Sequence, residues 1–260
     1  MSPCIRTRND GPLRWIVFDN PRRMNALNLD MWASLPDLIA EAVADDDVRV
    51  VILRGAGDRA FSAGADISEF DTVRSGDKAK HYDAVNHAAF EAVANCPKPT
   101  IAMAQGFCLG GGLLLALSCD LRLAAEGSSF AIPMAKLGVG YDARWIRPVF
   151  RSASAASAKE ILFTGRRFNH DEAMTMGLLN SVHGMDDIEA KTRTLAQEIA
   201  ENAPLSLRVA KATVDEFSRA PENPDLAMLD AMIDACIKSD DYKEGRTAFM
   251  EKRKPQFRGR

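Results

Sequence analysis

Two glycine-containing segments carry the residue types best suited to chemistry on a ligand. The first is Phe61-Ser62-Ala63-Gly64-Ala65-Asp66-Ile67, whose small residues let a backbone turn come close to a bound molecule, although an ordinary tight loop would use the same string. The second, Gly106-Phe107-Cys108-Leu109-Gly110-Gly111-Gly112, follows a strand-like run and leads into Leu113–Leu117, which is apolar on every face and so reads as a buried helix. A glycine run at a helix start presents unpaired N–H donors at the positive end of the dipole, which suits phosphate or a developing oxyanion. No Lys-Ser or Lys-Thr follows these glycines, and Gly-Gly-Gly does not match the dinucleotide fingerprint, so neither common phosphate loop applies. On residues alone, tight helix packing and a ligand site are equal alternatives.

Other elements must position these segments. Trp15–Phe18, Val50–Leu53 and Thr100–Met103 are short apolar runs that read as buried strands, with Leu121–Ala124 a weaker fourth. Helices are expected over Asp30–Val43, capped by Asn28 and open to a kink at Pro36, and over Lys78–Asn95, with Val85, Ala88, Ala89, Ala92 and Val93 on one face and Pro97 as the stop. Strand and helix in alternation imply crossover connections and parallel pairing, an α/β core. From about Asp186 the pattern is helical throughout: Ile188–Asn202, Leu205–Arg219, Leu226–Lys238 and Tyr242–Lys252, broken at Ala203-Pro204 and Pro221–Pro224. The expected organisation is a core over 1–195 and a helical region over 196–260 that packs on the core or on another subunit.

Bulk properties narrow the function classes. An apolar share of 47% and a charged share of 27% fit a globular protein with a sizeable core. A net charge of −3 gives no basic excess for nucleic acid or an anionic membrane, so neither is expected as a partner. The five cysteines, Cys4, Cys96, Cys108, Cys119 and Cys236, lack the tight pairs of a zinc or redox site and read as reduced, mostly buried thiols of a cytoplasmic protein. The first fifteen residues lack the apolar stretch of a signal peptide, and Phe107–Leu117 is about half the ~20 residues of a membrane span.

In order along nearly the whole chain, Asn20-Pro21-Arg22-Arg23-Met24-Asn25-Ala26-Leu27, Phe61–Ile67, Pro99–Asp120, Phe130–Gly138, Thr164–Asn180 and Phe249–Phe257 resemble the enoyl-CoA hydratase/isomerase family, the crotonase superfamily. The resemblance implies a crotonase-like spiral of ββα units with a C-terminal helical region that mediates homotrimers, commonly paired into hexamers. It implies an acyl-CoA thioester substrate, coenzyme A being part of that substrate rather than a tightly bound cofactor, and no metal. The family's two oxyanion-hole amides fall on Ala65 and Gly111, holding the thioester oxygen as an enolate forms. The adenine and phosphate end of coenzyme A would lie near Arg22, Arg23, Met24, Ala63, Asp66 and Ile67, with Phe249 and Lys252 reaching it from a neighbouring subunit.

The pattern breaks at the two glutamates with which hydratases of the family add water. Those positions are Leu114 and Met134, which move no proton at neutral pH, so a two-carboxylate mechanism has no carboxylates. They become walls of the substrate pocket, along with Tyr141. By the same resemblance, Asp142 falls where dienoyl-CoA isomerases carry an acid/base aspartate and chlorobenzoyl-CoA dehalogenases a nucleophile, and His87 falls where the latter activate water. An ion pair one helical turn from Asp83 is the other reading of His87. Tyr141 and Arg144 flank Asp142 and either tune it or mark a loop-to-helix transition. His81, His170 and His183 lack metal-ligand spacing and read as structural. The alternatives left open are an isomerase or lyase with Asp142 as acid/base, a hydrolase or dehalogenase with Asp142 as nucleophile, and a non-catalytic acyl-CoA binder.

Overall fold

The computed structural model describes residues 2–70, 78–140 and 142–260. The chain begins with an antiparallel hairpin of β1 (Cys4–Asp10) and β2 (Leu13–Asp19). Hydropathy does not signal β1, because its side chains are largely exposed and polar, and it is a strand by virtue of the ladder that β2 offers. Then come α1 (Leu29–Ala44), β3 (Val50–Gly55), β4 (Ala60–Ser62), α2 (Lys78–Ala94), β5 (Thr100–Ala104), β6 (Phe107–Leu109) and α3 (Gly111–Ser118). The next pass holds β7 (Leu121–Ala125), β8 (Ser129–Ala131), α4 (Ala143–Ser152), α5 (Ala155–Thr164), β9 (Phe168–Asn169), α6 (His170–Thr175) and β10 (Ser181–His183). Four helices close the chain: α7 (Ile188–Ala200), α8 (Pro204–Arg219), α9 (Leu226–Lys238) and α10 (Asp240–Glu251).

The long strands form a six-stranded sheet in the order β1-β2-β3-β5-β7-β10, and the short ones a four-stranded sheet in the order β4-β6-β8-β9. From β2 to β10 the large sheet is parallel throughout, as the strand–helix alternation requires. Each pass of the chain adds a long strand to the large sheet, a short strand to the small one, and then a helix: β3-β4-α2, β5-β6-α3 and β7-β8-α4. The four strands expected from apolar runs are all present in the large sheet. The small sheet escapes a hydropathy reading because strands of three residues are too short to show a period.

Both faces of the large sheet are covered, so its strands read as continuous apolar runs. On one face Ile16, Phe18, Val51, Leu53 and Ala102 pack with Met31, Trp32 and Leu35 of α1 and with α2 and α3. On the other, Leu13, Trp15, Val50, Ile52, Ile101 and Met103 pack with Ile188 and Ala196 of α7. The position 195 lies within α7, which runs unbroken as the second cover of the sheet. Asn28 caps α1 by accepting from the Met31 amide at 2.9 Å, and the helix continues through Pro36 as one element. Cys96, Cys108 and Cys119 are buried free thiols, and burial pushes Cys119 up to about 12, which keeps it protonated and inert. No described helix is long and apolar enough to cross a membrane.

The C-terminal helices are tied to the sheet by Asp120. Its Oδ2 accepts from the Thr100 amide at 2.7 Å and the Thr100 hydroxyl at 3.0 Å, and from Lys211 Nζ of α8 at 2.8 Å. Asp120→Ala leaves both the amide and the ammonium without that acceptor, and should destabilise the protein by roughly 1–3 kcal/mol. Lys211→Met leaves Asp120 still bonded to Thr100 and should cost less than about 1 kcal/mol. Urea unfolding midpoints of the two variants check this ordering; equal losses would contradict it.

Candidate active site

The first glycine segment is stitched to the chain before α1 by a short run of backbone bonds. Ala63 N–H donates to Met24 O at 2.9 Å, Leu27 N–H to Gly64 O at 2.8 Å, and Asp66 N–H to Leu27 O at 2.9 Å. Leu27 and Ala65 thereby form a parallel bridge. In such a bridge the residues either side of Ala65 do the bonding, so its own N–H is turned to the opposite side.

The opposite side is the start of α3. Gly110 N–H donates to Ala131 O at 2.7 Å, which fixes the glycine run on β8, and Gly110 O accepts from Leu114 to begin the helix. The two segments touch backbone to backbone. Gly64 has φ +93°, and a Cβ there would stand 2.8 Å from Leu109 O and 3.0 Å from Gly111 N. A Cβ on Gly112 would stand 2.6 Å from Ser62 O, while one on Gly111 would lie 3.8 Å from Ala65 N. Only glycine allows this approach. Among the described residues, neither the Ala65 nor the Gly111 amide donates a hydrogen bond. Both residues are partly exposed, whereas Gly64, Asp66 and Gly112 around them are buried. Two open donors next to one another at a helix N-terminus can take one electronegative atom.

Apolar side chains follow. Leu114 is 1% exposed within the main core, on the first turn of α3. Met134 is half-buried against the same core, in the turn Pro133–Leu137 that the chain enters directly after β8. Neither side chain can exchange a proton.

Asp142 caps α4, accepting from the Arg144 amide at 2.8 Å and from Arg144 Nε at 2.9 Å, with Arg144 Nη2 on its second oxygen. This fork, with the backbone bond next and the His87 charge as a smaller influence, holds the Asp142 carboxyl down at about 2. The structure therefore brings His87 within electrostatic reach of Asp142. His87 lies on α2 with its Nε2 3.5 Å from Glu91 Oε1, and its Nδ1 is buried with no hydrogen-bond partner among the described residues. The ion pair expected from helical spacing thus runs to Glu91. Tyr141 lies outside the described residues.

Arg23, Met24, Ala63, Asp66 and Ile67 come together, with Arg22 beside them. Arg23 Nη1 pairs with Asp66 Oδ1 at 2.7 Å, Asp66 also accepts from the Ser68 amide and hydroxyl, and these bonds leave its carboxyl below the ordinary value against the opposing effect of burial. Arg22 is exposed, and Ile67 is 61% exposed. Phe249, 82% exposed, is on α10 and Lys252 is that helix's left-handed C-cap, and no described contact joins them to this cluster. The tail beyond α10 instead packs at the start of β3, where Arg49 donates to Phe257 O at 3.2 Å. Of the other histidines, His81 is exposed on α2, His170 Nδ1 accepts from the Gly127 amide, and His183 is in strand β10 bonded to Ser181. Among the described residues no group of three or more His, Cys, Asp or Glu could hold a metal.

Two residues near the site carry no mark in the sequence. Ser62 hydroxyl accepts from the Gly64 amide at 3.0 Å and steadies the turn. Trp32 reaches Gly111 from α1, where it reads only as one more apolar helix position.

The family described as enoyl-CoA hydratase/isomerase matches residues 10–260. The chain is 31% identical to the short-chain-enoyl-CoA hydratase of Clostridium acetobutylicum over 94% of each protein. It is 30% identical to the carnitinyl-CoA dehydratase of Salmonella enteritidis over the full length of both. Among solved structures, an enoyl-CoA hydratase/carnitine racemase from Magnetospirillum magneticum superposes with a TM-score of 0.92 at 40% identity, covering 98% of this chain and 96% of that one. The spiral of two-strand-and-helix passes is the crotonase-like fold of these structures. The chain belongs to the enoyl-CoA hydratase/isomerase family.

Proposed function

We propose that the protein acts on an acyl-CoA thioester, polarising the thioester carbonyl with the Ala65 and Gly111 amides so that an enolate can form, and that Asp142 moves the proton. The observation that carries this reading is the pair of adjacent, unbonded, partly exposed amides at the start of α3. Each such donor, placed where charge develops in a site with apolar walls, is worth roughly 3 kcal/mol of barrier. Leu114 and Met134 provide those walls and stand where a hydratase of the family would place its glutamates.

Coenzyme A enters as part of the substrate. Arg22 and Arg23 are the cations that meet its phosphates in this reading, with Met24, Ala63, Asp66 and Ile67 around its adenine end. Phe249 and Lys252 complete that end only if they come from a second copy of the chain, as in a homotrimer or hexamer. A second reading draws support from the electrostatic reach of His87 to Asp142: the carboxylate attacks an acyl carbon with loss of the coenzyme A thiolate, giving an anhydride, or an aryl carbon with loss of a halide, giving an ester, and His87 takes the proton of the water that hydrolyses either adduct. Mass spectrometry of the protein under single turnover separates the two, because only the second leaves an adduct on Asp142.

The reading is tested on a panel of enoyl-, dienoyl-, malonyl- and aryl-CoA esters, scored for thermal stabilisation and for turnover. Stabilisation without turnover on every ester would leave a thioester-binding protein rather than an enzyme. Asp142→Asn keeps a good helix cap but removes the charge, so it should lower kcat by about 10²–10⁴-fold while coenzyme A ester binding persists. Undiminished turnover would remove Asp142 from the mechanism.

The depressed Asp142 value also fixes a pH dependence. A carboxyl lowered on folding stabilises the fold above its unfolded value near 4, and that contribution fades as pH falls through about 2. The stability difference between the native protein and Asp142→Asn should therefore be constant from pH 8 to about pH 4 and shrink below it. Activity should show no acid limb from Asp142 above about pH 4; a limb in the neutral range would place the base on an imidazole instead.

A further inference from the structure

Gly111 is held from two sides. Ala65 N lies 3.8 Å from the point a Gly111 Cβ would occupy, and the indole of Trp32 lies nearer still, with Cζ2 at 3.2 Å and Cη2 at 3.4 Å. Trp32 is fully buried and makes an edge contact with Phe90, the ring centroids 5.4 Å apart and the planes at 69°. Phe90 is one helical turn beyond His87 on α2. One rigid side chain thus touches the residue carrying an open amide and the helix carrying His87.

The indole is an uneconomical way merely to fill that space. Among the described residues its Nε1 is buried without a hydrogen-bond acceptor, and leaving a buried donor unsatisfied costs roughly 1–3 kcal/mol. A phenyl or aliphatic group would fill much of the same volume with no such loss. What the indole adds is reach: its six-membered edge fills the space a Gly111 Cβ would enter, where α3 begins with no side-chain cap to fix its first turn.

We propose that Trp32 is a positioning residue for the amide pair, its ring edge setting where the Gly111 N–H stands relative to the Ala65 N–H and, through Phe90, relative to His87. This inference rests on the reading of those amides as the carbonyl-binding pair. Misplacement of a reacting group by about 1 Å costs on the order of 10²-fold in rate, so a small retreat of Gly111 is enough to register.

The test uses hexanoyl-CoA labelled with ¹³C at the thioester carbonyl, followed by infrared difference spectroscopy on the full-length protein, with kinetics on any ester of the panel that turns over. In the native protein the bound carbonyl stretch should fall to lower frequency than in water. In Trp32→Phe most of that downshift should be lost, and kcat should fall by roughly 10–100-fold with little change in KM. A purely structural role would lower the melting temperature and leave the downshift of the folded protein intact. Gly111→Ala, whose methyl meets the indole, should cost less in the Trp32→Phe background than in the native one, a coupling expected only of side chains in contact. If Trp32→Phe fails to fold, Trp32→Tyr is read by the same criteria. No downshift in the native protein would overturn the amide-pair reading itself. A native downshift that Trp32→Phe or Trp32→Tyr reproduces in full, with kcat unchanged, would overturn the role of Trp32 alone.

Discussion

Two peptide N–H groups can face one point only if the segments that carry them approach to backbone contact, and side chains ordinarily forbid it. At Gly64 and Gly112 the missing Cβ atoms remove that obstacle: a methyl at either would stand under 3 Å from a carbonyl oxygen of the facing segment. The rest of the molecule serves this approach. The Met24–Leu27 ladder presents the Gly64–Asp66 turn, Gly110 ties the other turn to β8, and the parallel sheet brings both to the same region. A single extra methylene at the seam would push the amides apart whatever the quality of the core around it.

Around this backbone site the side chains are divided between insulation and charge. Leu114, on the first turn of α3, and Met134, packed on the same core, add apolar side chains. Charge lies between the C-terminal half of α2, with His87 and Glu91, and the start of α4, with Asp142 and Arg144. Arg144 satisfies both oxygens of Asp142 and keeps it ionised, which favours a carboxylate available at all moderate pH but weakens it as a proton acceptor. The chain shares its fold with proteins named as a hydratase, a dehydratase and a hydratase/racemase, so the fold alone does not select the reaction.

The C-terminal helices illustrate a different dependence. α7 belongs to the fold of the sheet, because Ile188 and Ala196 close its second face, while α8 is joined to it by the Lys211–Asp120 bond. α9 and α10 carry Leu226, Ile233, Ile237, Phe249 and Met250 on exposed positions. Phe249 and Lys252 stand away from the Arg23–Asp66 cluster of their own chain, so the sequence match that groups them is a match in order along the chain and not in contact within it.

The sequence by itself determined the α/β alternation, the four long strands, the buried helix after the glycines and the apolar residue types at Leu114 and Met134. Each is legible because it depends on local pattern: continuous aliphatic runs, an all-apolar turn of helix, the type of residue at a motif position. It also marked Gly111 and Asp142, through resemblance rather than through physics. The strands of the small sheet, the electrostatic reach of His87 to Asp142 and the placing of Trp32 beside Gly111 were decided only by the tertiary structure. Three residues are too few to show a period, and the contact of an indole on α1 with a glycine on α3 depends on how two helices pack over a shared sheet, a relation that no spacing along the chain encodes.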